Sequence, residues 1–159
     1  MKKRIIQLSL CIVFLIADQA TKYWAAVALK NQNPIEIIKG FFYLTYAENS
    51  GAAWSIFQGQ SWLFISIGCV AIVALLIWYF KTTRPFSQFA LVLMLAGAAG
   101  NLLDRFLIAG RVRDFLDFYI FGYDFPIFNV ADSCLTIGVA LMFIDLLVEE
   151  YHGKRNTSR

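Results

Sequence analysis

The stretch "SWLFISIGCVAIVALLIWYF", residues 61–80, decides the fold, because it runs its whole length without a charged side chain. A helix of ~20 such residues, rising 1.5 Å per residue, crosses the ~30 Å hydrocarbon core of a bilayer. Three further apolar runs, about residues 5–27, 86–103 and 130–148, have the same capacity. The composition agrees: of 159 residues, 59% are hydrophobic and only 16% charged, against about 25% charged in a soluble domain. The expected architecture is an α-helical integral membrane protein with four transmembrane helices, forming a single membrane-embedded domain over residues 1–159.

The first run opens with "MKKR" and resembles the charged and apolar regions of a secretory signal peptide. No A-x-A site follows it, and "LSLC" ending at Cys11 is a poor cleavage box because Leu10 is bulky. The run continues instead through "DQATKYWAAVALK", the far end of a retained helix.

Orientation follows from the lysines and arginines flanking the spans. Lys2, Lys3, Arg4, Lys81, Arg84, Lys154, Arg155 and Arg159 fall on one side of a four-span chain. Both termini are therefore expected in the cytoplasm, and the long connections, about 28–60 and 104–129, outside. The net charge of +3 is an orientation signal. No basic tract is long enough to track phosphates, so nucleic acid is not an expected partner.

Cys11, Cys69 and Cys134 lie one per apolar run without C-x-x-C spacing, which argues against a zinc site or a disulfide framework. They read as small buried hydrophobes. The single histidine, His152, is in the tail, so histidine-based nucleophilic catalysis on the outer face is excluded, as is a multi-histidine metal site.

Carboxylates and carboxamides remain. Asp18, Asn101, Asp104, Asn129 and Asp132 all fall at the expected outer ends of their spans, where an ionisable group is costly without partners. Helical spacing puts Asp18, Thr21 and Lys22 on one face, Asn101, Asp104 and Arg105 on another, and Asn129 and Asp132 on a third. Three polar faces at one depth point to a shared site. Each residue also has an ordinary explanation: Asn129 and Asp132 can cap a helix, Asp18 and Lys22 can pair at i,i+4, and Arg105 can snorkel.

Five segments in order, "DQATK" (18–22), "NSGAAW" (49–54), "GAAGNLLDR" (97–105), "RVRDFLDF" (111–118) and "FNVADS" (128–133), resemble the motifs of bacterial lipoprotein signal peptidases, the signal peptidase II family. The resemblance covers essentially the whole chain. It implies an aspartic endopeptidase of the bacterial cytoplasmic (inner) membrane, active at the outer face as a monomer. Its substrates are prolipoproteins, cut just before a cysteine that carries diacylglycerol; membrane lipids are the other partners, and no cofactor or metal is implied. By motif the catalytic pair falls on Asp114 and Asp132, and the supporting residues on Asp18, Asn49, Asn101, Arg105 and Asn129. Sequence alone does not choose Asp114 over Asp117; the motif makes that choice.

The chemistry is consistent with that assignment. Two carboxyl groups in close company hold one proton between them, so one can activate water while the other protonates the leaving amine. Asn101 and Asn129 can orient the pair or the substrate carbonyl, Arg105 can hold a backbone carbonyl or the loop bearing Asp114, and Asp18 is better suited to organisation than to chemistry.

The first outer loop, rich in β-branched and aromatic residues with a break at Gly40, is expected to form short interfacial strands. The second, "FLDFYIFGYDFPIF", reads as an aromatic lid or belt. The small run from Ala96 to Gly100 offers room for substrate or close helix packing. Three positions depart from the family pattern: Ala96 for a common glycine, Trp54 for a common phenylalanine, and Glu48, whose charge would raise the protonation of the pair if it lay near. Two other classes fit less well. A small proton-coupled transporter would show midplane polar groups and an internal repeat. A metal-dependent membrane hydrolase would gather Asp18, Asp104, Asp114 and Asp132 round Mg²⁺.

Overall fold

Arg84 is extended and Pro85 follows it at the first helical position, where a missing N–H costs nothing and the preceding residue is barred from helix. The turn between the two middle spans is fixed by that pair. The computed structural model describes residues 2–51 and 59–157. Trp54 and the side chains of Lys2, Lys3, His152, Lys154, Arg155 and Arg159 lie outside the described residues. The helices are α1 (Lys2–Ala28), α2 (Ser61–Lys81), α3 (Pro85–Leu107) and α4 (Val130–Thr157). All four are long and apolar enough to span a membrane. They match the four expected spans, with α3 continuing through Asp104 and Arg105 and α4 running past residue 148.

α3 is the central helix, packed against the other three. Leu91, Val92 and Leu95 meet Leu75 and Tyr79 of α2 and Met142 of α4 in one apolar core. Lipid tails are as apolar as leucine, so association inside a bilayer depends on close contact. Glycine supplies it: a β-carbon at Gly97 would strike the Ala131 carbonyl and Leu135 of α4. The small run 96–100 is thus filled by a neighbouring helix, and of the two readings of that run it is packing that the structure shows.

At one end of the bundle lie four strands, β1 (Ile35–Ile38), β2 (Phe42–Asn49), β3 (Val112–Ile120) and β4 (Tyr123–Asp124). They form one antiparallel sheet in the order β1-β2-β3-β4. β1 and β2 turn at Gly40, which has φ 67°, as the first loop predicted. The second loop, for which no strand was expected, is a paired strand and a short hairpin. Val112 to Phe115 are buried in succession, so no alternation of wet and dry residues marks the strand in the sequence. β3 is seated on α1 by Phe115, which packs with Ala25 and Leu29 and meets the Trp24 ring edge-on at 6.4 Å.

The cysteines divide. Cys134 is buried and Cys11 half-buried, as expected of small hydrophobes, but Cys69 is exposed on the outside of α2.

Candidate active site

Among the described residues the sheet end of the bundle holds six almost wholly enclosed ionisable side chains: Asp18, Lys22, Asp104, Arg113, Asp114 and Asp117. In so dry a setting each charge needs a partner. Lys22 lies 3.0 Å from Asp18 and 3.6 Å from Asp104. Arg113 grips Asp104 through Nη2 at 2.6 Å and Nε at 3.1 Å, and its backbone N–H donates to the same carboxylate. Gln19 fills the remaining space, donating to Asp18, Asp104 and the Gly100 carbonyl and accepting from Arg113. Asp18 also accepts the Ala131 backbone N–H at 2.8 Å, so a carboxylate of α1 caps the first turn of α4. A β-carbon at Gly100 would lie 2.5 Å from Asp18 Oδ2; only glycine lets the two helices meet there.

Asp114 and Asp132 form a second layer. Asp114 comes from β3, opposite Ala47 of β2, and Asp132 from the first turn of α4. Asn129 joins them: its Nδ2 donates to Asp114 Oδ1 at 2.6 Å, while its backbone N–H lies 3.3 Å from Asp132 Oδ2. Asn129 Oδ1 in turn accepts the Asp132 N–H at 2.9 Å, the reciprocal bonding of a capped helix start. The capping explanation of this residue therefore holds, and the same side chain also reaches Asp114. Asn101 donates to Asp132 Oδ1 at 2.7 Å and accepts from Lys22 at 2.9 Å. Since an ammonium only donates, the Asn101 oxygen must face Lys22 and its amide nitrogen must face Asp132. Asn49 hydrogen-bonds Asp114 and accepts the Gly51 N–H.

Both carboxyls open on a cleft of about 650 Å³. Asn49, Asn101 and Arg105 complete its polar side, and Phe125, Phe128, Leu135 and Ile137 contribute to an apolar wall. Arg105 stacks on the Phe64 ring at 4.6 Å and donates to the carbonyls of Gly51 and Gly110, holding backbone on both sides of the opening. Burial, followed by the neighbouring charge of Asp132, pushes the Asp114 carboxyl up to about 7, against the opposing effect of its asparagine partners.

All seven residues singled out in the sequence lie in this region. Asp18 and Asn129 do not line the cleft: Asn129 is wholly buried against Asp114, and Asp18 sits behind with Lys22. Asp117, the local rival of Asp114, is an odd number of residues further along β3 and so points to the other side. It bonds Thr45 and burial raises its pKa. Glu48 does not approach the pair: it turns to Lys30 and Arg111, each 2.9 Å away. Those two, with Tyr46, hold its carboxyl down at about 2. Nor do the four aspartates converge as a metal hydrolase would need, since cations occupy Asp18 and Asp104; among the described residues no group of three or more potential ligands is placed to hold an ion. Sequence reading gave no role to Gln19 or Arg113. Both sit inside quoted motifs, one after Asp18 and one before Asp114, and that adjacency was the available signal.

Four membrane-crossing helices with a carboxyl pair, one member buried and the other partly so, in an amide-lined cleft at one end define a class of helical membrane hydrolase. The profile of the signal peptidase (SPase) II family matches residues 10–148. Lipoprotein signal peptidases of Staphylococcus aureus strains JH9 and Newman are each 45% identical over 147 residues, spanning 91% of this chain and 90% of theirs. A bacterial membrane enzyme solved by the in meso method at 2.3 Å superposes with a TM-score of 0.84 at 42% identity, over 91% of this chain and 89% of its own. A second, at 1.9 Å, gives 0.80 at 44% identity, over 89% and 92%. The chain belongs to the signal peptidase II family.

Proposed function

We propose that the chain removes signal peptides from prolipoproteins by metal-free aspartic catalysis, cutting before the cysteine that bears diacylglycerol, with Asp114 and Asp132 as the reacting pair. The observation that carries this is the placing of two carboxyls, the buried Asp114 of a strand and the partly buried Asp132 of a helix, on one cleft with amides and no cation as their nearest partners. Such a pair shares a proton near neutral pH. The ionised member takes a proton from water as the water oxygen attacks the scissile carbonyl, whose oxygen is protonated by the other. The tetrahedral intermediate then collapses: one of its hydroxyls gives a proton to the ionised member, the C–N bond breaks, and the leaving nitrogen takes a proton from the other, which restores the one-proton pair. The products are a signal peptide ending in a carboxylate and a lipidated cysteine with a free amino group.

Asn101 and Asn129 hold the two carboxyls in register, and Arg105 fixes the backbone around them. One chain supplies every one of these groups, which suits a monomer. The basic flanks Lys81 and Arg84 lie at the opposite end, which suits cytoplasmic termini and a cleft at the outer face of the inner membrane.

The test is cleavage of a diacylglyceryl-modified prolipoprotein by the detergent-purified protein beside Asp114→Asn and Asp132→Asn, with and without EDTA. Cleavage before the lipidated cysteine by the parent alone, indifferent to EDTA, is expected. A folded parent that does not cleave would overturn the activity. Cleavage surviving both substitutions would overturn the mechanism, and loss in EDTA would favour the metal enzyme.

A further inference from the structure

The far end of the sheet carries side chains that the cleft does not use. Phe42 pairs with Phe118 and Ile120 with Tyr123, so the β1–β2 and β3–β4 turns lie at the same end of the sheet. The Tyr119 N–H donates to the Phe41 carbonyl at 2.8 Å, tying the two turns together. The site end, where Asn49 pairs with Val112, is opposite.

At the tip of the second turn, Phe121 has φ 51° and Gly122 φ 80°. Two successive positive φ values are those of a type I′ turn, which favours asparagine or glycine first. A phenylalanine there is a steric outlier, yet its ring is 105% exposed and packs on nothing in the protein. Ile38, Phe41 and Tyr123 are exposed beside it. Lys39, exposed on the first turn, is the one basic residue of either turn.

The direction of the strand says what meets this tip. Within three successive residues β3 reaches three helix ends: Arg113 bonds Asp104 of α3, Asp114 bonds Asn129 at the start of α4, and Phe115 meets Trp24 of α1. A strand that touches three helices so quickly runs across the end of the bundle and not along its axis. From Phe115 to Phe121, at about 3.3 Å per residue, the strand covers roughly 20 Å beyond these helix contacts. At the same end of the bundle α1 exposes Tyr23 and Val27, an apolar surface suited to lipid.

We propose that the paired turn tips are a membrane anchor, in which Phe121 and Phe41 enter the headgroup–acyl boundary and Lys39 meets lipid phosphates. Aromatic rings favour that depth, and lysine there keeps its ammonium among the headgroups. Anchoring steadies the sheet, and hence Asp114, against the bilayer that delivers the substrate.

The test compares Phe121→Trp with the parent in nanodiscs of phosphatidylethanolamine and phosphatidylglycerol holding one copy each. The emission added by the new tryptophan is expected to be blue-shifted, quenched by lipids brominated on their acyl chains, and protected several-fold from aqueous acrylamide. Ready quenching by acrylamide with indifference to brominated lipid overturns the proposal. So does protection that appears only in nanodiscs carrying two copies, which assigns the tip to a second copy of the chain. In detergent, Phe121→Asn restores the Asn-Gly pair the turn favours and is expected to melt no lower than the parent; a clear fall in melting temperature would assign the ring to packing within the protein and overturn the anchor.

Discussion

Two sets of carboxylates share one end of the bundle, and their surroundings differ in kind. Asp18 and Asp104 are held by Lys22 and Arg113, with Gln19 between them. Asp114 and Asp132 receive amide hydrogens and lie against each other's charge. All four are acidic side chains, but the first set is neutralised by cations, while the second has amides for partners and, in the proposed mechanism, exchanges protons. Asn101 connects the layers, accepting from Lys22 and donating to Asp132.

The comparison is easiest to break at Lys22. Lys22→Met leaves Asp18 and half of the compensation of Asp104 without a cation in a dry interior, and is expected to cost about 3–5 kcal/mol in detergent unfolding. Adding Asp18→Asn should recover part of it. If Lys22→Met melts with the parent, the inner layer is not held together by charge.

The reacting layer should respond with the opposite sign. The carboxyl of Asp114 titrates at about 7 in the folded protein and near 3.9 unfolded, so the folded state binds the extra proton and stability falls as pH rises between those values. Asp114→Asn, which cannot ionise, should abolish cleavage yet be the more stable protein at pH 8, by at most roughly 4 kcal/mol at ~1.4 per pKa unit. The difference should close towards pH 4; a variant less stable than the parent at pH 8 would contradict this.

Asn129→Ala removes both the helix cap and the donor to Asp114. The cap is worth about 1–2 kcal/mol, whereas turnover should drop by about 10²-fold or more. Losses of equal size in melting and turnover would reduce Asn129 to a cap. Smallest of all is Glu48→Gln: its partners Lys30 and Arg111 are half exposed, so stability should change by less than about 1 kcal/mol. The acid limb of the activity profile should stay where it is; movement would place Glu48 in the field of the pair after all.

The spans were legible because each is a long apolar run, and their ends were not because α3 and α4 continue into polar residues such as Arg105 and Glu149. β3 hid for a physical reason: its helices cover one face and its cleft the other, so Arg113, Asp114 and Phe115 are buried alike and the period of two disappears. The candidate residues could be found by depth and spacing, and motif separated Asp114 from Asp117. Partners across the fold could not be found that way. Nothing local joins Asp104 to Arg113 or Asp18 to Ala131, and Glu48 looked close to the site only because it precedes Asn49 in the chain.

The bond from Ala131 to Asp18 spans 113 positions of sequence, and it sets a schedule for biosynthesis. A ribosome-bound chain that has delivered α1, α2, α3 and the sheet already contains Asp114, Asn101 and Arg105, but neither Asn129 nor Asp132. The acceptor on α1 waits for the start of α4, and the two arrive together with the second carboxyl. On the proposed assignment of Asp114 and Asp132 as the reacting pair, an unfinished chain in the membrane is not a protease, and proteolytic competence begins only with the docking of the last helix.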